Sequence, residues 1–126
     1  MSFIKERIAS FRYAFEGILE VIKSQANFKI HLLAAFLAII AGYCFSISTT
    51  EWCLIIASIA AVLSAETFNT AIEHLTNLVS PDYHVLAKRT KDAAAGAVLF
   101  MAIGAAIIGV LIFLPKVLSF FAFYPN

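Results

Sequence analysis

Charge is scarce in this chain of 126 residues. Only 13% of the residues are Asp, Glu, Lys or Arg, whereas 62% are hydrophobic. A soluble domain typically has about 25% charged and about 45–50% apolar residues. The composition therefore excludes an ordinary soluble protein and indicates an integral membrane protein, with a single domain over residues 1–126. Because the formal net charge is only +1, we expect no nucleic acid among its partners.

Several motifs are also missing. No Gly-rich phosphate loop of the Walker type is present, and no nucleophile triad can be drawn. The N-terminal part carries charges but no uninterrupted apolar core before residue 30, so we expect no cleavable signal peptide. The two cysteines, Cys44 and Cys53, lie in apolar runs without the spacing of a metal site. We interpret them as packing residues, and a disulfide near the outer loop is the alternative.

An amphipathic helix is predicted over residues 3–23. Its apolar residues recur every three or four positions, and Lys, Arg and Glu occupy the other faces. The apolar positions are Ile4, Ile8, Phe11, Phe15, Ile18 and Ile22. Since the segment is too polar to cross a bilayer, we expect it to lie in the membrane interface with this stripe facing the lipid. Packing against protein is the alternative.

Three further segments are apolar and long enough to cross a bilayer. They cover about residues 30–47, 51–79 and 91–114. The polar stretch 24–27 precedes the first segment, and Pro115 is expected to end the third. The predicted fold class is therefore an all-α integral membrane protein, in which an N-terminal surface helix is followed by three transmembrane helices.

Positive charge is unevenly distributed along the chain. The turn at residues 46–51, where Thr49 or Thr50 is expected to cap the second span, contains no Lys or Arg, and the C-terminal segment contains only Lys116. The other basic residues precede the first span or lie between the second and third spans: Lys5, Arg7, Arg12, Lys23, Lys29, Lys88, Arg89 and Lys91. The positive-inside rule then predicts a cytoplasmic N-terminus and an outer C-terminus.

Two glutamates and an asparagine interrupt the apolar pattern of the second span. Glu66, Asn69 and Glu73 share one helix face, because successive residues of a helix rotate by about 100°. They follow a run without charge, which places Glu66 about 20 Å from Trp52. A carboxylate inside or at the edge of the hydrocarbon is a functional candidate, since ionised groups are costly there. A paired or protonated structural glutamate is the alternative.

We expect this face to meet the polar connection at residues 82–92 on the cytoplasmic side. Carboxylates can hold Mg²⁺ there, lysines can neutralise phosphates, and Glu66 can serve as a general base toward a lipid hydroxyl. Phosphoryl transfer from a nucleotide to a membrane alcohol is thus one option that the residues admit. A solvated helix end, a topology signal in the basic cluster, and a proton or cation relay in a non-enzymatic subunit are the alternatives.

Three segments of the chain resemble one known family. They are Ala65–Glu73 (AETFNTAIE), Tyr83–His84 and Ala87–Val98 (AKRTKDAAAGAV). Their order and spacing resemble the bacterial diacylglycerol kinase and undecaprenol kinase family of small integral membrane kinases, and the order of elements matches over nearly the whole chain. The resemblance implies phosphorylation of a membrane lipid alcohol with ATP and Mg²⁺. It also implies a homotrimer in the bacterial cytoplasmic membrane, with active sites formed between subunits.

The resemblance further implies roles for individual residues. Glu66 matches the base that activates the lipid hydroxyl, Asn69 orients groups beside it, and Asp92 is a third catalytic candidate. Glu73 matches a glutamate that binds the Mg²⁺ carried by ATP, and Ala95 matches a position beside the lipid substrate. The positions that match nucleotide contacts are Tyr13, Glu73, Asp82, Tyr83, His84, Lys91 and Asp92.

Two positions depart from the family pattern. Gln25 stands where a second metal-binding glutamate is common, and Asn77 stands where an acidic residue is common. Gln25 stays a candidate for binding metal and cofactor, because its side-chain carbonyl offers an oxygen. Our hypothesis is an active enzyme with a single acidic metal ligand and weaker Mg²⁺ affinity.

The preferred substrate is undecaprenol. The segment 92–98 lacks the serine that is often found there in the diacylglycerol kinase branch. Diacylglycerol, which would give phosphatidic acid, is the alternative substrate. A catalytically inactive family member that serves as a scaffold is an alternative of another class.

Overall fold

The computed structural model describes residues 3–123, and within that range the secondary structure is entirely helical. Four helices follow one another: α1 (Phe3–Ser24), α2 (Ala26–Cys44), α3 (Thr49–Val79) and α4 (Val85–Phe123). The last three are long and apolar enough to cross a membrane. The all-α class and the three candidate spans are therefore confirmed.

The predicted surface segment is indeed one helix, α1, and its apolar stripe remains exposed in the chain. A single residue, Gln25, separates it from α2, so most of the polar stretch 24–27 is helical. Helix α2 also begins earlier than the predicted span, because Ala26–Lys29 continues the helical pattern without a helix breaker. Whether α1 lies on a membrane surface remains a prediction.

The turn between α2 and α3 is fixed by two sets of hydrogen bonds. At the end of α2, the N–H of Ile47 donates to the carbonyl of Gly42 (3.1 Å) and the N–H of Ser46 donates to that of Tyr43 (3.2 Å). This is a Schellman motif, with Ser46 in the left-handed conformation (φ 47°). Ser48, rather than Thr49 or Thr50, caps α3, because its hydroxyl accepts from the N–H of Glu51 while the Glu51 carboxylate accepts from the N–H of Ser48.

The connection from α3 to α4 is shorter than predicted. Helix α3 ends at Val79, as expected before Pro81, but α4 already begins at Val85. The basic cluster at residues 88–91 is therefore helical, and only residues 80–84 form the loop.

Pro115 does not end the third span, which corrects the expectation from the sequence. Helix α4 continues through Pro115 to Phe123. A proline removes one backbone hydrogen bond, but tertiary contacts can compensate in a transmembrane helix. Here the ammonium of Lys116 donates to the carboxylate of Glu51 at 2.8 Å, and the rings of Phe113 and Phe45 pack at 6.2 Å between centroids. Both contacts hold the end of α4 against the turn that precedes α3.

The apolar core lies at the same end of the helices as this turn. Ile47, Ile55 and Ile112 are buried together at its centre, and the aromatic rings of Phe45, Trp52 and Phe113 pack around them. The helix pair α3 and α4 shares the most extensive contact. Many large apolar side chains elsewhere on the helices remain exposed, as expected for surfaces that face lipid.

Candidate active site

A small polar cavity lies at the opposite end from the core, between α2, α3 and α4. Its volume is about 230 Å³. Because residues three and four apart share a face of a helix, each helix contributes a short row of side chains. The lining consists of Asn27 and His31 from α2, Glu66 and Asn69 from α3, and Ala95, Val98, Leu99 and Ala102 from α4.

Glu66 is the buried carboxylate of this cavity. The residue is only 3% exposed, and its Oε1 lies 3.3 Å from Nε2 of His31. One turn later, the hydroxyl of Thr70 donates to the backbone carbonyl of Glu66 at 2.9 Å, so the polar atom of this fully buried threonine is satisfied within α3. A buried carboxylate is costly without a partner. The His31 side chain is the partner that the fold supplies.

Asn69 connects the cavity to the second glutamate. It is 8% exposed, and its Nδ2 donates to Oε1 of Glu73 at 3.2 Å. This contact orients the amide, because an ionised carboxylate only accepts hydrogen bonds. The remaining amide oxygen, Oδ1, is buried without a hydrogen-bond partner in the described part of the chain. A buried acceptor of this kind needs a donor, which a substrate hydroxyl or a water molecule can provide.

An apolar cavity adjoins the polar one. Its volume is about 270 Å³, and it is lined almost entirely by apolar side chains, many of them small. Ala34, Ala35 and Ala38 on α2 face Ala102, Ala105, Ala106 and Gly109 on α4 across this space. His31 lines both cavities, so its imidazole stands at the boundary between the polar and the apolar space.

Glu66, Asn69 and Ala95 are thus brought together by the fold, with Glu73 one hydrogen bond away. Two further lining residues, Asn27 and His31, were not among the candidates from the sequence. His31 lies near the start of the first apolar span in the sequence. His31 could have been identified by the same feature that identified Glu66, because both are ionisable residues within a membrane-spanning segment.

The remaining candidates lie outside the polar cavity. Tyr13 is 61% exposed on α1, where its hydroxyl accepts from Arg12 at 3.4 Å. Tyr83 is 82% exposed in the loop before α4. Gln25 is half-buried at the junction of α1 and α2, and its N–H donates to the carbonyl of Val21 at 2.9 Å.

The start of α4 carries the other candidates. Asp82 is exposed, and its carbonyl accepts from the Ser80 hydroxyl at 3.1 Å. Nδ1 of His84 accepts from the N–H of Leu86 at 3.2 Å, which caps the helix. Lys91 is half-buried, and the exposed Asp92 is paired with Lys88, one helical turn earlier. These groups form a polar surface at one end of α4.

Comparison with known proteins identifies the family of this chain. The family model described as prokaryotic diacylglycerol kinase matches residues 12–113, which include both cavities. The chain belongs to this family. As a family member with three apolar spans, it is a multi-pass membrane protein. The prediction of a lipid kinase is confirmed, and as a kinase the protein uses ATP.

The relatives of this lipid kinase are named either undecaprenol kinase or diacylglycerol kinase. Undecaprenol kinase of Bacillus subtilis is 46% identical over 107 residues, which cover 85% of this chain and 87% of that protein. Diacylglycerol kinase of Synechocystis is 38% identical over 113 residues, covering 89% of this chain but only 65% of that protein. Diacylglycerol kinase of Escherichia coli is 30% identical over 95 residues, covering 75% and 78% of the two chains.

Within residues 3–123, no three His, Cys, Asp or Glu side chains of the lipid kinase come together to form a metal site such as a cage of protein ligands. Mg²⁺ does not require such a cage, because it is commonly held by one or two carboxylates together with substrate phosphates and waters. Glu73 offers the oxygen donors that Mg²⁺ prefers, and Asn69 holds one of its oxygens in place. The residues therefore fit Mg²⁺ that arrives with a nucleotide.

Proposed function

We propose that this lipid kinase transfers the γ-phosphate of ATP to the hydroxyl of undecaprenol and so produces undecaprenyl phosphate. The observation that carries the proposal is the buried Glu66 carboxylate beside a polar cavity that continues into an apolar one. A long-chain alcohol needs both environments, since its hydroxyl must be hydrogen-bonded while its chain avoids water. The identity of 46% to an undecaprenol kinase supports the choice of alcohol.

Glu66 serves as the general base of the proposed reaction. Its carboxylate takes the proton of the lipid hydroxyl while the hydroxyl oxygen forms a bond to the γ-phosphorus. The bond between that phosphorus and the bridging oxygen breaks at the same time, and ADP leaves. Asn69 supports this step by holding the Glu73 carboxylate through Nδ2, while its buried Oδ1 can accept a hydrogen bond from a water molecule in the cavity.

Glu73 and Gln25 would hold Mg²⁺ in this proposal. Bound Mg²⁺ neutralises charge on the nucleotide phosphates and thereby favours phosphoryl transfer. Glu73 is the stronger of the two ligands, because it is charged and Gln25 is not. Asn69 keeps the Glu73 carboxylate oriented before the nucleotide binds.

The nucleotide is bound outside the polar cavity in this proposal, by the candidates on α1, in the loop before α4 and at the start of α4. These are Tyr13 on α1, Asp82, Tyr83 and His84 in the loop, and Lys91 with Asp92 on α4. The ammonium of Lys91 supplies positive charge for the phosphates. Because none of these groups lines the polar cavity of the single chain, the proposal includes a homotrimer in which neighbouring subunits complete each active site.

The membrane orientation is part of the same proposal. The basic residues before α2 and at the start of α4 favour the cytoplasmic side for this end of the helices. Helix α1 then lies in the cytoplasmic interface of the bacterial cell membrane, with its exposed apolar stripe toward the lipid. This arrangement places the Glu66 cavity where membrane alcohol and soluble nucleotide meet.

A side-by-side assay tests the choice of substrate. Purified protein in mixed micelles receives γ-labelled ATP, Mg²⁺ and either undecaprenol or diacylglycerol at equal mole fraction. We expect faster labelling of undecaprenol, measured as kcat/KM for the alcohol. A clear preference for diacylglycerol would contradict the proposed substrate, and no transfer to either alcohol would contradict the kinase mechanism.

A further inference from the structure

We propose that His31 is a positioning residue that acts through Glu66. Its Nε2 lies 3.3 Å from Oε1 of Glu66, and in this role it donates a hydrogen bond to that oxygen in the substrate complex and holds the carboxylate toward the polar cavity. This inference rests on the proposed function of Glu66 as the base. It assigns a role to an α2 residue that the motif around Glu66 and Glu73 does not contain.

The burial of Glu66 is the first observation behind this role. Its side chain is 4% exposed, and its Oε1 lies 3.3 Å from Nε2 of His31. Among residues 3–123, no lysine or arginine pairs with this carboxylate. An ionised carboxylate can only accept, so the proposed role requires the hydrogen on Nε2 of His31.

The contact is slightly longer than the usual 2.7–3.2 Å of an N–H···O hydrogen bond. Hydrogen bonds at catalytic groups are often long in unliganded sites and shorten when the substrate is bound. We therefore expect the hydrogen bond to form when the lipid hydroxyl enters the cavity.

The chemistry of imidazole suits a base better than a permanent cation would. A lysine or arginine beside Glu66 would stabilise the charged carboxylate strongly and so weaken it as a proton acceptor. A neutral imidazole donates a hydrogen bond without adding a fixed charge. His31 can thus orient Glu66 and leave it able to take a proton.

His31 lies between the polar and the apolar cavity. The side chain is 24% exposed and lines both spaces. On α2 it is followed at three, four and seven residues by Ala34, Ala35 and Ala38, which line the apolar cavity. The imidazole therefore lies at the boundary between the polar and the apolar cavity. In this position it would hold Glu66 beside the hydroxyl of a bound lipid alcohol.

The test is a comparison of His31→Leu with His31→Gln. Leucine has a similar volume but no donor, whereas glutamine keeps an N–H that can reach Glu66. We expect His31→Leu to lower kcat for the lipid alcohol roughly 10- to 100-fold, as for a lost hydrogen bond to a charged group. The KM for ATP should stay within about twofold. His31→Gln should restore most of kcat.

A matched control uses the second His–Glu pair of the chain. Nε2 of His74 lies 3.9 Å from Oε1 of Glu20, and both side chains are more than half exposed. His74→Leu should therefore leave kcat within about twofold of wild type. If His31→Leu and His31→Gln were both fully active or equally impaired, or if only a KM changed, the positioning role would be overturned.

Ring-nitrogen NMR provides a readout that does not depend on turnover. The chain has only three histidines, so ¹⁵N-histidine labelling gives few signals, which single variants assign. We expect Glu66→Gln to shift the His31 signals and Glu20→Gln to shift only those of His74. An unchanged His31 signal would overturn the inference alone. Absence of phosphoryl transfer by the wild-type protein would overturn it together with the proposed function.

Discussion

We expect Asn69→Leu to lower the activity of this protein while leaving its stability nearly unchanged. The substitution keeps a similar side-chain volume at a buried position but removes both polar atoms of the amide. One of them, Nδ2, holds Glu73 at 3.2 Å, and the other, Oδ1, has no partner within the described residues. The two losses act in opposite directions on the free energy of unfolding.

The magnitudes can be estimated from these contacts. A hydrogen bond to a charged acceptor contributes about 1.5–3 kcal/mol, and a buried acceptor without a partner costs about 1–3 kcal/mol. The loss and the gain nearly cancel, so we expect the free energy of unfolding to change by about 1 kcal/mol or less. Activity has no such compensation, because the Glu73 carboxylate loses the group that orients it and the polar cavity loses the buried acceptor of Asn69. We expect kcat/KM to fall about 10- to 100-fold.

The assay combines lipid phosphorylation at several Mg²⁺ concentrations with thermal unfolding in the same detergent. Thr67→Val is a matched control, because the Thr67 hydroxyl donates only to the Leu63 carbonyl of its own helix and the residue does not line the polar cavity. We expect this variant to retain near wild-type activity. If Asn69→Leu kept full activity, or if it lost activity only in proportion to unfolding, the reasoning would be refuted.

Two further variants test the metal site and the packing of the core. Glu73→Ala should raise the Mg²⁺ concentration needed for half-maximal activity, and an unchanged Mg²⁺ dependence would remove Glu73 from the metal site. Gly42→Ala should destabilise the protein by about 1–3 kcal/mol, since the new Cβ would lie 2.6 Å from the Trp52 ring. Gly104→Ala is its control, because nothing lies within 4 Å of a Cβ there; equal thermal stability of the two variants would contradict the packing argument.

The sequence pattern is sufficient to predict the helices and the polar face of α3. Periodicity places Glu66, Asn69 and Glu73 on one side, and the structure connects Asn69 to Glu73 and turns Glu66 into the adjacent cavity. These are local relations within one helix, so they follow from the rotation of about 100° per residue.

Relations between helices could not be predicted in this way. Pro115 is a local helix breaker, yet α4 continues through it, and the adjacent Lys116 pairs with Glu51, which is 65 positions away in the chain. The pairing of His31 with Glu66 likewise depends on how α2 and α3 pack. Periodicity identifies which residues share a face, whereas the partner across the interface is determined by tertiary packing.

The most direct test of the account is phosphoryl transfer to undecaprenol by Glu66→Gln. Glutamine keeps the shape of the side chain but cannot accept the hydroxyl proton as a carboxylate does. We predict a fall in kcat of about 10²- to 10⁴-fold, with unchanged elution in size-exclusion chromatography, while Glu20→Gln stays near wild type. If Glu66→Gln retained activity within about threefold of the wild-type protein, Glu66 would not be the base, and the central claim would be contradicted.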